Sequence, residues 1–155
     1  MASNPLKHFG RVPKIYIKLP TNGKFYPEDQ FQYSPNGEVP LKAMTATDEL
    51  ILNNPDALLN GDAIYQLLRS CTVNCKDVKL LTVPDVDAML LGIQYASRGD
   101  KLKINCTCPK CKHLQDEEFS IRSILDATVT MNDTDIEPFL ILEDGEVPLR
   151  INMRP

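Results

Sequence analysis

Cys106-Thr107-Cys108-Pro109-Lys110-Cys111-Lys112-His113 is the stretch from which the architecture can be read. Three cysteines and a histidine fall within eight residues, on a turn between two short alternating segments. Leu102-Lys103-Ile104-Asn105-Cys106 leads in and Glu118-Phe119-Ser120-Ile121 is expected to run back beside it. Sulfur and imidazole ligands this close suit a tetrahedral ion, and a turn lets successive sulfurs converge. The Cys108-Pro109-Lys110-Cys111 core has zinc-knuckle spacing, so residues 101–126 read as a zinc-ribbon-like β-hairpin.

The candidate ligands are Cys106, Cys108, Cys111 and His113, with structural zinc as the cofactor. Cys108 and Cys111 are the best-placed pair. Cys106 and His113 would complete a compressed set, because a typical ribbon draws its second pair from a distant turn. Cys71 and Cys75 are the only distant pair on offer, and Cys71 falls on an apolar helix face, where a small core hydrophobe is the plainer reading. A redox C-x2-C belongs at a helix N-terminus in a βαβ setting, which this is not. A turn that keeps its cysteines without metal is the remaining alternative. Catalytic zinc would need an open position and a general base, and neither is indicated.

Upstream of the turn the hydrophobic period changes. Thr45-Ala46-Thr47-Asp48-Glu49-Leu50 opens a helix with a Thr cap and acidic first-turn residues. Asn53-Asn54-Pro55 ends it, and Pro55–Leu59 gives one short turn. From Asp62 to Cys71, Ile64, Leu67, Leu68 and Cys71 recur at helical spacing. Thr82-Val83-Pro84-Asp85 starts the clearest helix, with Val86, Met89, Leu90, Ile93 and Ala96 on one face and Gly99 as its stop. Asp48, Glu49, Asp85 and Asp87 read as acids interacting with helix dipoles.

The two ends alternate at period two. Residues 1–13 read as an arm with little to bury. Lys14–Leu19 is a strand, the Asn22-Gly23 turn follows, and Phe25-Tyr26-Pro27 is expected to start the return. Ser34-Pro35-Asn36-Gly37 turns into a strand at Glu38–Met44. Tyr16, Tyr26, Tyr33, Phe25 and Phe31 fit a hairpin core better than a base-stacking surface. Ser123–Asp126 reads as a helical turn, and Phe139–Leu142 with Val147–Ile151 as a hairpin about Asp144-Gly145. Asn36–Lys42 and Asp144–Arg150 are nearly the same heptapeptide; shared turn chemistry is the plainer explanation, and a structural repeat that pairs the two ends in one sheet is the sharper one. The fold class is therefore α+β: a small N-terminal β-hairpin sheet over 14–44, a helical core over 45–100, the zinc-ribbon-like hairpin over 101–126, and a C-terminal β-hairpin within 127–155. The ending at Asn152-Met153-Arg154-Pro155, without a capping element, leads us to expect a longer native chain or a partner there.

Composition bounds the function. In 155 residues, 43% hydrophobic and 25% charged, there is room for one ordinary core. A net charge of -4 argues against a generic electrostatic grip on nucleic acid or anionic lipid. No apolar run reaches the roughly 20 residues that cross a bilayer, and no secretory leader is legible. Five cysteines, an odd count with three in metal spacing, favour a reducing cytoplasm over a disulfide framework. Phosphate loops, G-x-S-x-G and H-E-x-x-H are all missing, so an enzyme is not expected.

Several stretches taken in order resemble the baseplate hub assembly proteins of T4-like contractile-tailed bacteriophages. They are Leu19–Pro27, Gly37–Leu41 with Met44-Thr45-Ala46, Asp48–Leu52, Asn54–Ala63, Ser70-Cys71, Ala96–Asp100 and Cys108–Cys111. The likeness spans roughly residues 14–126. It implies a non-enzymatic protein that builds, or belongs to, the central hub of a tail baseplate, with other hub or tail proteins as partners. Its locations would be the host cytoplasm during assembly and the virion tail; a homo-oligomer is compatible with it. Such proteins show a lone C-x2-C at this turn, so Cys106 and His113 are not carried by the resemblance, and members tend to be longer. The hairpin would be a rigid projection docking on a hub subunit, with extended arms and strand edges adding to a partner's sheet, and with Pro13, Pro20, Pro27 and Pro40 limiting stray pairing. The rival reading is a zinc-ribbon adaptor acting on host transcription machinery or nucleic acid.

Overall fold

The computed structural model describes residues 11–73, 75–131, 139–142 and 149–152, the last two stretches by backbone alone. The class is α+β, as expected, with three two-stranded antiparallel sheets and five α-helices among the described residues.

Strands β1 (Ile15–Ile17) and β2 (Val39–Leu41) pair with Tyr16 opposite Pro40. On its other side β2 meets the chain after the third helix, through a Leu41–Thr72 bridge and the Val73 N–H donating to the Pro40 carbonyl. Pro40 therefore sits in a flanked strand, not at the free edge its type suggests. Its backbone faces the Val73 side, so its missing N–H removes nothing from the β1 ladder.

The expected return strand at Phe25–Pro27 does not form. Asn22 and Gly23 do adopt positive φ, 54° and 77°, and the Lys24 N–H bonds the Thr21 carbonyl. However, the chain keeps turning, with the Tyr26 N–H on the Gly23 carbonyl, because the Tyr26 hydroxyl is anchored inside the molecule. The partner of β1 comes instead from beyond the second turn, where Gly37 has φ 74°.

The middle is helical. Helix α1 (Ala46–Leu52) begins with a reciprocal cap between Thr45 and Asp48, and α2 (Pro55–Leu59) is capped by the Asn54 side chain. Helix α3 (Asp62–Cys71) follows, then a 3-10 turn at Val78–Leu80, then α4 (Val83–Arg98). Gly99, with φ 90°, ends α4, and its N–H reaches the Tyr95 carbonyl. Met89, Ile93 and Ala96 of the expected face are buried, and Val86 and Leu90 are partly so. Met89 and Ile93 join one cluster with Ile17, Val39 and Leu41 from the sheet, Leu19 just beyond β1, and Leu67, Leu68 and Cys71 from α3. This sheet-on-helix cluster is the core.

Strands β3 (Lys101–Thr107) and β4 (Leu114–Ser120) form the cysteine hairpin. The return strand begins four residues earlier than the sequence reading placed it. Ile121 leaves the strand to start α5 (Ile121–Ala127), longer than the expected turn at Ser123–Asp126, and is fully buried. Asp100 causes the switch: its carboxylate takes the Ser120 hydroxyl and the Arg122 N–H, while its carbonyl takes the Ile121 N–H. Strands β5 (Phe139–Leu142) and β6 (Leu149–Asn152) pair with each other, as the C-terminal hairpin reading requires. The Asp144-Gly145 turn, residues 1–10 of the arm and residues 153–155 lie outside the described residues.

Candidate metal centre

The hairpin register sorts its side chains. Leu102, Ile104 and Cys106 share one face with Phe119, Glu117 and Gln115; Lys101, Lys103 and Asn105 share the other with Ser120, Glu118 and Asp116. The polar face is laced by a Lys101–Glu118 ion pair at 2.8 Å and an Asn105–Asp116 hydrogen bond. On the first face Ile104 and Phe119 remain 40% and 44% exposed. None of the buried residues of the core cluster belongs to either strand, so the hairpin stands off the body, held at its base by Asp100.

Residues 108–113 close the tip. The Cys108 N–H donates to the His113 carbonyl and the Lys112 N–H to the Cys108 carbonyl, both at 2.9 Å, and Lys112 takes φ 59° to bring the chain back. Hydrogen bonding from the backbone N–H groups of Cys111 and Lys110, and from the Cys111 side chain, holds the Cys108 thiol below its ordinary range. Cys106 sits opposite Gln115, with the Thr107–Leu114 pair between it and the turn. Among the described residues no group of three or more His, Cys, Asp or Glu side chains is arranged to hold a metal. Of the four expected ligands, Cys108 and Cys111 lie within the turn, Cys106 lies on β3, and His113 closes the turn through its carbonyl.

The distant cysteines belong to the body. Cys71 is fully buried, and desolvation pushes its thiol up against the pull of Arg11. Cys75, half-buried beside the Gln30 amide at 3.6 Å, is pushed up to about 11, chiefly by burial. Protonated and desolvated thiols of this kind pack as small hydrophobes.

Sequence reading missed the polar groups that hold the body together. Asp85, taken as a first-turn acid, is wholly buried. It accepts from the Thr21 N–H at 3.0 Å and from the hydroxyls of Thr21 and Tyr26. Burial and the neighbouring Asp85 carboxylate raise the Tyr26 hydroxyl well above its ordinary value. Arg11, inside the supposed arm, pairs with buried Asp48 at 3.3 Å and donates to the Ser70 hydroxyl and the Ala43 carbonyl. Burial opposes ionisation of Asp48, but hydrogen bonds from Ser70 and Thr45 and the charge of Arg11 outweigh it and hold the carboxyl below its ordinary value. Gln30, also buried, donates to the Asp77 carbonyl.

One groove of about 590 Å³ runs beside β1, with Lys14, Lys18, Glu38, Arg122 and Asp126 in its lining and no cysteine, serine or histidine. It offers mixed charge along a strand edge, without a nucleophile and base in register. No helix among the described residues is long and apolar enough to cross a membrane.

In comparison with known proteins, the family model described as T4 bacteriophage base plate protein matches residues 12–155. No curated protein and no solved structure matches the chain.

Proposed function

Because this chain belongs to the T4 bacteriophage base plate protein family, we propose that it is a non-enzymatic structural or assembly protein of the central baseplate hub. The carrying observation is the family match over residues 12–155, which includes the core and the hairpin alike. In this reading the core is the scaffold, and the β3–β4 hairpin is the projection that other hub or tail proteins recognise. A partly apolar face on a strand pair lacking core contacts of its own supports that role, since such a face gains most by covering it with a partner. The work is done in the host cytoplasm during assembly, with the tail baseplate as the destination.

The turn is proposed to take a structural zinc ion on Cys108 and Cys111. A bound ion would supply charge compensation for two thiolates and a cross-link across the tip, stiffening the projection. What supports the reading is a tight turn carrying both cysteines, closed by the Cys108–His113 and Lys112–Cys108 backbone bonds.

The test is capture from infected cells with the tagged full chain, beside a search of purified tails for the untagged polypeptide. Recovery of hub or tail proteins is expected. Capture that returns host polymerase or nucleic acid instead, and no tail protein, defeats the hub assignment.

A further inference from the structure

We propose that the outer edge of β1 is a docking slot for an extended acidic segment of a partner protein, which adds to the sheet antiparallel to β1. The inference rests on the baseplate reading in taking that partner to be a protein, and it is independent of the cysteine turn. The edge is open for a reason that lies in the backbone. The Pro40 carbonyl and the Lys42 N–H bond the chain at Val73 and Cys71, so both residues turn away from β1. Tyr16 stands opposite Pro40, in a pair whose backbones do not bond each other. The Tyr16 N–H and C=O therefore point outward, and among the described residues no strand pairs with that side. Tyr16 itself is 51% exposed.

A second wall distinguishes this edge from an ordinary free strand. Beyond α5, Thr128 and Thr130 line the same groove of about 590 Å³ as β1, with Tyr95 and Leu125 adding apolar surface. The Met131 N–H then ties this stretch to the Pro20 carbonyl at 2.8 Å, just past the end of β1. The charge of the lining selects the occupant. Three cations, Lys14, Lys18 and Arg122, face two acids, Glu38 and Asp126, in a chain whose net charge is -4. Arg122 and Asp126 pair with each other at 3.9 Å, and among the described residues no ion pair engages Lys14 or Lys18. Continuing the register past Ile17–Val39 sets Glu38 opposite Lys18, so the Lys14 end is the more positive. Lysines on an edge discourage indiscriminate pairing, and the same charge favours an acidic strand. Both lysines flank Tyr16 at alternate exposed positions. A segment with acids two residues before and after the one opposite Tyr16 sets them across from Lys18 and Lys14.

The experiment titrates the full chain into the peptide acetyl-Thr-Glu-Thr-Val-Thr-Glu-Thr-amide carrying a neutral fluorophore, read by anisotropy, with hydrogen exchange at the Tyr16 N–H followed alongside. Saturable binding that weakens as salt rises, with slowed exchange at Tyr16, is expected. Lys14→Glu should weaken binding about tenfold and Lys18→Glu by less, while Lys101→Glu on the hairpin leaves it unchanged. Far-UV circular dichroism checks the fold of each variant. A peptide with Lys in place of Glu should not bind, and methylating the valine nitrogen should abolish binding by removing the N–H that meets the Tyr16 carbonyl. Equal binding of the Lys peptide overturns the charge selection, and undiminished binding of the methylated one overturns strand addition. No saturable binding overturns the slot. Slow exchange at Tyr16 in the chain alone overturns the partner: light scattering then assigns the slot to the chain's own residues in a monomer or to a second copy in a dimer. None of these outcomes bears on capture of tail proteins by the tagged chain, so the hub assignment is tested separately.

Discussion

Asp85 shows how much a single side chain organises here. Its carboxylate, at the start of α4, gathers three donors from residues more than fifty positions upstream and so ties the first turn region to the longest helix. Removing it takes the acceptor from the buried Thr21 N–H and hydroxyl and leaves the Tyr26 hydroxyl only Thr82 as a partner. Asp85→Ala is expected to cost ~3 kcal/mol or more, read as a fall in the urea midpoint at unchanged slope. Asp48 carries a pH signature as well. Its folded-state value lies below the ordinary 3.8, so its contribution is present above 3.8 and is lost as pH falls through the lowered value. Asp48→Asn should be less stable than the native chain at pH 7 by about 1–3 kcal/mol. That gap should narrow in urea melts run below pH 3.8; a gap independent of pH would remove the charged role. Neither residue was legible as a core group. An acid in a first helical turn looks solvated unless its distant partners are known, and Thr21, Tyr26 and Arg11 are distant. Gln30 escaped for the same reason.

At the scale of elements, local patterns were legible where local chemistry decides the outcome. Helix α4 was found from its apolar spacing, Pro84 in its first turn and Gly99 at its end, and α1 from its Thr45 cap. The hairpin about Cys108 and Cys111 followed from alternation on both sides of a turn. Reading failed where a tertiary bond overrode a turn signal: the Asn22-Gly23 turn forms, yet Tyr26 is drawn to Asp85 and no return strand follows. It failed again at Ile121, which alternates like a strand residue until Ser120 caps the next helix with Asp100 beside it. The sheet-to-helix contact yields a further prediction. Gly92 lets α4 lie against β1 and β2; a Cβ there would fall 2.7 Å from Leu41 Cδ1 and 3.2 Å from Ile17 Cγ2. Both neighbours are buried, so they have little room to yield. Gly92→Ala should lower stability by about 1–3 kcal/mol despite better helix propensity, measured as a drop in thermal midpoint. A gain would mean that α4 lies farther from the sheet.

For the molecule as a whole, the division is between a body with a common core and a hairpin outside that core. The core cluster draws its buried residues from the β1 and β2 region, α3, the 3-10 turn and α4, and takes none from β3 or β4. The junction is nevertheless defined, because Asp100 binds Ser120, Ile121 and Arg122 whatever lies between, and Ile121 is buried below it. Cutting the hairpin back to a short turn joining Leu102 to Phe119 keeps the Lys101–Ser120 pairing and this clamp. Such a variant should unfold in one cooperative step with a thermal midpoint close to that of the native chain, because little apolar surface buried on folding is removed. It should also lose capture of tail proteins from infected cells, since the partly apolar face and the cysteine tip are both gone. The two readouts separate the roles. A large fall in midpoint would show that the hairpin supports the core, and undiminished capture by a stable variant would move the docking surface to the body.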